Sequence, residues 1–174
     1  MTALQKISHI GIECHRYSKK VKTWHSGGSV SGTFLGSIEG SITNRRVSIP
    51  QSFRELIALS ARMLVVAVRG RNNTIYIFPM DVWKNLEHDL EQGTENEKQL
   101  LKMFRIYATV LKVEGPGRIL LPKKLLEIAE IENKIVFLGE GKFFSIWNPE
   151  NFQKYEEEIA QRYDEKLQEN EFLL

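Results

Sequence analysis

Residues Arg46-Val47-Ser48-Ile49-Pro50-Gln51-Ser52-Phe53-Arg54-Glu55-Leu56-Ile57 return 72 positions later as Arg118-Ile119-Leu120-Leu121-Pro122-Lys123-Lys124-Leu125-Leu126-Glu127-Ile128-Ala129. Further on, Ile77, Phe78, Trp83, Leu86, Leu90 and Gln92 match Ile146, Trp147, Phe152, Tyr155, Ile159 and Gln161 at an offset of 69. A duplication of this kind constrains the fold more than composition does. Two degenerate copies must form the same unit twice, and a small unit buries its apolar face best against its twin.

Each copy reads as a short apolar run, a proline, a short helix, two strands and a longer amphipathic helix. Pro50 and Pro122 stand where a fixed φ and a missing N–H suit the first turn of a helix, the second of which runs to about Glu130. In the second copy, Lys134–Leu138 and Lys142–Trp147 flank Gly139-Glu140-Gly141, the composition of a hairpin connection. In the first copy, Met63–Val68 and Thr74–Phe78 flank Arg69-Gly70-Arg71-Asn72-Asn73 in the same way. Asn148-Pro149-Glu150 supplies a cap and an N1 proline, after which Phe152, Tyr155, Ile159 and Tyr163 form one helical stripe. Pro79 and Asp81 open the equivalent helix of Val82, Trp83, Leu86 and Leu90, and Glu95–Ala108 reads as a linking helix.

The organisation expected is a flexible basic arm over 1–32, a first repeat over 33–93, a linking helix over 94–109, a second repeat over 110–160 and an acidic helix end over 161–174. Charge follows this division. Residues 1–32 hold five cations against Glu13 alone, whereas 149–174 hold eight acids against Lys154, Arg162 and Lys166. The arm ends in Ser26-Gly27-Gly28-Ser29-Val30-Ser31-Gly32, a linker composition.

Several function classes lose their footing at this point. Cys14 is the only cysteine, so no intramolecular disulfide forms, and no Cys/His cluster has zinc spacing. Lys6, His9 and Glu13 break any apolar leader, and no apolar run is long enough for a membrane span, which makes the cytoplasm the expected compartment. His9, His15 and His25 lie in the arm and His88 on an exposed helix side, none beside a nucleophile or a paired carboxylate. Neither glycine-rich phosphate pattern occurs. The chain reads as a non-enzyme with no cofactor, no metal site and no small-molecule substrate.

What remains is a matched pair of polar loops, Ser41-Ile42-Thr43-Asn44-Arg45-Arg46 and Val113-Glu114-Gly115-Pro116-Gly117-Arg118. Each places an arginine at the start of a strand, and a pseudo-twofold puts both on one edge of the molecule. Guanidinium groups bind phosphate bidentately and also reach guanine O6 and N7. The structural alternative makes Arg46 and Arg118 buried ion-pair partners of Glu114, Glu55 or Glu127.

Over about 34–160 the chain resembles the MraZ family, regulators of the bacterial division and cell-wall gene cluster. The residues that carry the likeness include Phe34-Leu35-Gly36, Val47-Ser48-Ile49-Pro50, Phe53-Arg54-Glu55, Ile77-Phe78-Pro79, Gly117-Arg118-Ile119-Leu120-Leu121-Pro122 and Phe143-Phe144-Ser145-Ile146-Trp147. The resemblance implies an α/β fold of two AbrB/MazE-like repeats forming one swapped-hairpin barrel with flanking helices, here with an N-terminal extension. It also implies a transcription regulator that binds double-stranded DNA in the nucleoid as a ring-like homo-oligomer. The family's acid-x-x-x-arginine motif survives as Glu114 to Arg118 with Gly117 before the arginine. In the first copy Ile42 replaces the acid and Arg45 the glycine, while Arg46 remains.

The DNA-contacting set implied is therefore Arg46, Arg118, Arg45, Asn44, Gly117, Glu114 and Lys112. Lys123 and Lys124 are possible phosphate contacts from the short helix. Trp83, Phe143, Phe144 and Trp147 are the apolar candidates for contacts between copies, against a reading in which they pack the core. The second reading of the whole chain is a protein–protein module, a scaffold or an antitoxin-like sequestering protein.

Overall fold

A computed structural model describes residues 32–57 and 61–169. All of the basic arm but Gly32, and the last five residues of the acidic end, lie outside the described residues. The elements in order are β1 Ser37–Thr43, β2 Arg46–Ser48, α1 Gln51–Arg54, β3 Leu64–Arg69, β4 Ile75–Pro79, α2 Met80–Glu91 and α3 Glu95–Tyr107. They continue as β5 Thr109–Lys112, β6 Arg118–Leu120, α4 Lys123–Ile128, β7 Lys134–Gly139, β8 Phe144–Trp147 and α5 Pro149–Glu169.

The eight strands make one antiparallel sheet ordered β5-β3-β4-β8-β7-β1-β2-β6. A bridge between Glu114 and Arg118 joins β5 to β6 and all but closes the barrel. The order is unchanged when the halves are exchanged, and the exchange explains how the core is built. β1 of the first half pairs with β7 of the second, Ser37 opposite Leu138 through Ser41 opposite Lys134. β5 of the second half pairs with β3 of the first, Leu64 opposite Lys112 through Ala67 opposite Thr109. Neither half closes a sheet alone, so the hairpins are swapped between repeats.

The pseudo-twofold passes through two ladders, between Val47 and Ile119 on β2–β6 and between Tyr76 and Ser145 on β4–β8. Inside the barrel Phe34, Phe53, Phe137 and Phe144 form an aromatic lattice with centroids 5.3–6.4 Å apart. Outside it, Val66, Val68 and Phe78 meet Trp83 of α2 and Phe104 of α3. Buried on both faces, β3 must be apolar along Val65-Val66-Ala67-Val68, which is why it lacks strand alternation.

Most elements fall within a residue or two of their sequence expectation, as boundaries normally do. The short helix of the second copy stops at Ile128, before the expected Glu130, because Glu130 adopts a positive φ of 56°. β1 and β5 were not anticipated as strands. The expected stripe on α5 splits: Phe152 and Tyr155 pack on Trp147, whereas Ile159 is 46 % and Tyr163 59 % exposed. A 21-residue helix spans about 31 Å and outruns the sheet beneath it. Trp83, Phe144 and Trp147 are buried and Phe143 stacks on Phe78 at 4.6 Å, so all four pack the protein's interior. The exposed apolar side chains are others, including Met103, Ile106 and Val110. No helix of the described residues is long and apolar enough to cross a membrane.

Candidate nucleic-acid interface

The β2–β6 ladder is three pairs long: Arg46 opposite Leu120, Val47 opposite Ile119, Ser48 opposite Arg118. Side chains alternate across a strand, so burying Val47 and Ile119 turns Arg46, Ser48, Arg118 and Leu120 outward together. Arg46 and Arg118 occupy diagonal corners of that face. Two residues of strand rise along the ladder and one interstrand spacing across it separate their Cα atoms by about 8 Å.

Backbone bonds hold both corners. The Leu121 N–H donates to the Arg45 carbonyl at 2.9 Å, and the Ile49 N–H donates to the Gly117 carbonyl at 2.8 Å. Each residue preceding an arginine is thus tied down by the other repeat. Arg45, Arg46 and Arg118 are exposed, and among the described residues no carboxylate forms an ion pair with any of them. The carboxylates proposed as structural partners are engaged elsewhere or stay at the surface. Glu127 sits 3.4 Å from Lys123, and Glu55 accepts from the Gln51 amide at 2.8 Å.

The two loops are built differently. In the second, Glu114 and Arg118 exchange backbone hydrogen bonds of 2.7 and 2.9 Å around Gly115-Pro116-Gly117, with φ +46° at Gly115 and +101° at Gly117. In the first, Thr43 faces Arg46 and Ile42 faces Val47 around a two-residue turn. Asn44 and Arg45 both have positive φ, 50° and 61°, the geometry of a type I′ hairpin. The first loop is therefore one residue tighter. That shift explains the missing acid: Ile42 lies opposite buried Val47 and is itself buried, a position where a carboxylate would be desolvated and unpaired. Thr43 takes the place opposite the arginine.

Lys112 and Glu114 lie on the outward side of the second hairpin with Arg118. Lys123 is exposed at the start of α4, and Lys124 lies over the Tyr107 ring at 4.8 Å. Arg54 was not singled out from the sequence. Its Nη1 donates to the Pro116 carbonyl, so α1 of the first repeat braces the loop of the second. The repeat alignment could have found it, since the equivalent residue on α4 is apolar Leu126. Leu126 instead lines a groove of about 600 Å³ beside the first loop, together with Ile42, Arg45 and Lys123 and with the carboxylates Glu127, Glu130 and Glu132.

Among the described residues this face presents Arg46, Arg118 and Lys112, with Glu114 opposite Arg118. It can bind phosphate and donate to base edges. No group of His, Cys, Asp and Glu among the described residues is placed to hold a metal ion.

The sequence profile of the MraZ protein family matches residues 43–105 and again residues 103–173, one match per repeat. The chain is 33 % identical to the transcriptional regulator MraZ of Roseiflexus castenholzii over 124 residues, covering 69 % of this chain and 84 % of that one. It is 30 % identical to the protein of the same name from Lactiplantibacillus plantarum over 141 residues, 79 % of this chain and 96 % of the relative. The namesake from Syntrophomonas wolfei is also 30 % identical, over 136 residues, 76 % of this chain and 92 % of that protein.

Proposed function

The chain belongs to the MraZ family, and from that premise we propose that it is a sequence-specific DNA-binding transcription regulator acting on the promoter of a division and cell-wall gene cluster. The observation that carries the reading is the diagonal pair Arg46 and Arg118, exposed on one face and without ion-pair partners among the described residues. Unpaired guanidinium groups on a rigid ladder keep their donors free for a polyanion. Asn44, Arg45 and Lys112 extend the contact, Gly117 shapes the second loop, and Glu114 lies opposite Arg118 to orient it. In this reading the protein works in the cytoplasm at the nucleoid and needs neither cofactor nor substrate.

A three-pair ladder offers few contacts, so affinity comes from several copies on repeated sites, which raises effective concentration. The exposed apolar residues Met103, Ile106 and Val110, and the α5 stripe of Ile159, Tyr163 and Leu167, supply surface for such a homo-oligomer. Light scattering of wild type and Ile159→Glu reports on this directly.

The test of the DNA reading is fluorescence anisotropy on the DNA upstream of the chain's own gene, comparing wild type with Arg46→Ala and Arg118→Ala. Loss of binding in both supports two working half-sites, and undiminished binding in both excludes the arginine face. The second reading, an oligomeric scaffold or antitoxin-like protein–protein module, is favoured by the same exposed apolar stripe. Salt separates the two, since DNA contact weakens steeply with ionic strength and an apolar interface does not.

A further inference from the structure

The two loops carry different charge and different support. Between Thr43 and Arg46 the first turn itself holds two arginines and no acid, Leu126 stands where a counterpart of Arg54 would be, and the groove next to the turn is lined by Glu127, Glu130 and Glu132. Between Glu114 and Arg118 the second turn holds one charge of each sign. Its middle is braced by the Arg54 guanidinium on the Pro116 carbonyl, and a Cβ placed on Gly117 would lie 2.7 Å from the Arg54 Cδ. Arg54 and Gly117 therefore fit each other closely.

We propose that the loops divide the work of recognition: the braced second loop aims Arg118 at base edges, whereas the open first loop binds phosphate through Arg45 and Arg46. Arg54 is then a positioning residue, acting across the repeat boundary on the direction of Arg118. This rests on the reading above that the β2–β6 face meets DNA. The physical reason for the division is that base readout depends on direction and phosphate contact on charge. A bidentate bond to a base tolerates little angular error, so it needs a fixed backbone. Affinity through counterion release needs only exposed cations near the strand, which Arg45 and Arg46 of the first turn supply.

The experiment measures affinity for two duplexes, the DNA upstream of the chain's own gene and a shuffled duplex of the same composition, across a series of KCl concentrations. Arg45→Asn keeps a residue that tolerates the left-handed turn. It is expected to weaken both duplexes by one factor, leave their ratio unchanged and lower the salt slope by about one. Arg118→Ala and Arg54→Leu are expected to lower the ratio between the duplexes about tenfold or more. Arg54→Leu should leave binding to the shuffled duplex within about twofold. Arg54→Lys, which can still donate one hydrogen bond to the Pro116 carbonyl, is expected to restore the ratio. Thermal melting checks that each variant folds, with Arg54→Met used where the leucine variant does not.

Arg45→Asn lowering the ratio as far as Arg118→Ala overturns the division. So does Arg54→Leu that weakens both duplexes alike, since Arg54 is then a plain phosphate contact, or that leaves both unchanged. Wild type that binds the two duplexes equally overturns the reading of the face as a specific DNA site, an outcome separate from any of these.

Discussion

Val47 lies directly opposite Ile119 at the centre of the β2–β6 ladder, 0 % and 1 % exposed, where the pseudo-twofold crosses the barrel wall. The pair seals the floor beneath the two arginine corners and belongs equally to both repeats. Ile119→Ala is expected to cost about 2–5 kcal/mol, the transfer loss plus an unfilled cavity. Combined with Val47→Ala the costs should couple by about 0.5–3 kcal/mol because the residues touch. Urea unfolding followed by tryptophan fluorescence and circular dichroism gives both numbers. Coincident transitions are expected from a barrel in which every strand pairs with one from the other half.

Gly117 and Gly115 offer a contrast within one turn. At φ +101° an L side chain is strained, and a Cβ would also strike Arg54, so Gly117→Ala should destabilise by about 1–3 kcal/mol. Gly115 has φ +46° with open space around it, so Gly115→Ala should cost only the left-handed backbone strain, about 1–2 kcal/mol, with no added clash. Thermal melts of the two variants should rank in that order. Equal values would mean that the Arg54 contact does not constrain the turn.

Much of this architecture was legible in the residues. The repeat at Arg46 and Arg118, the prolines opening α1 and α4 and the Gly139–Gly141 connection each leave a local mark, because a fixed φ or a tight turn demands particular residues. β1 left none: Ser-Ile-Glu-Gly-Ser-Ile-Thr has two apolar side chains and a glycine, and it is a strand because β7 of the other repeat pairs with it. The one-residue tightening of the first loop was equally hidden. Ile42 read as a missing acid, whereas the ladder shows it as a core residue opposite Val47. The brace from Arg54 to Pro116 spans 62 residues and exists only through the hairpin swap.

α3 begins with a complete capping box. The Thr94 hydroxyl accepts from the Glu97 N–H at 3.3 Å, while the Glu97 carboxylate accepts from the Thr94 N–H at 2.6 Å. Two of the first-turn donors are satisfied by this exchange. Thr94→Ala should therefore destabilise by about 0.5–2 kcal/mol, and Thr94→Ser or Thr94→Asp should recover most of it. Since Leu101 of α3 is buried, the loss should register in global chemical unfolding. A null result for alanine would show that tertiary packing alone holds the helix.

Buried Trp147 and Ser145 on the outer face of β8 form a relay with half-buried Glu140 of the preceding turn. The Trp147 Nε1 donates to the Ser145 Oγ at 2.7 Å, and the Ser145 Oγ donates to the Glu140 Oε1 at 2.9 Å. Burial pushes the Glu140 carboxyl above its ordinary value of 4.5, against the smaller downward pull of the Ser145 hydrogen bond. The folded protein therefore holds this proton more firmly than the unfolded chain does. Stability from this group is fully present below pH 4.5 and is lost as pH rises through the raised folded value. Glu140→Gln keeps an oxygen that accepts from Ser145 and carries no charge at any pH. The urea midpoints of wild type and variant, measured from pH 3.5 to 8 as a range about that value, should lie closest at the acidic end. They should separate as pH rises, with the glutamine variant the more stable at pH 7. The other carboxylates are common to both proteins and cancel in the difference. A wild type that gains on the variant with rising pH would mean that the relay favours the ionised carboxylate.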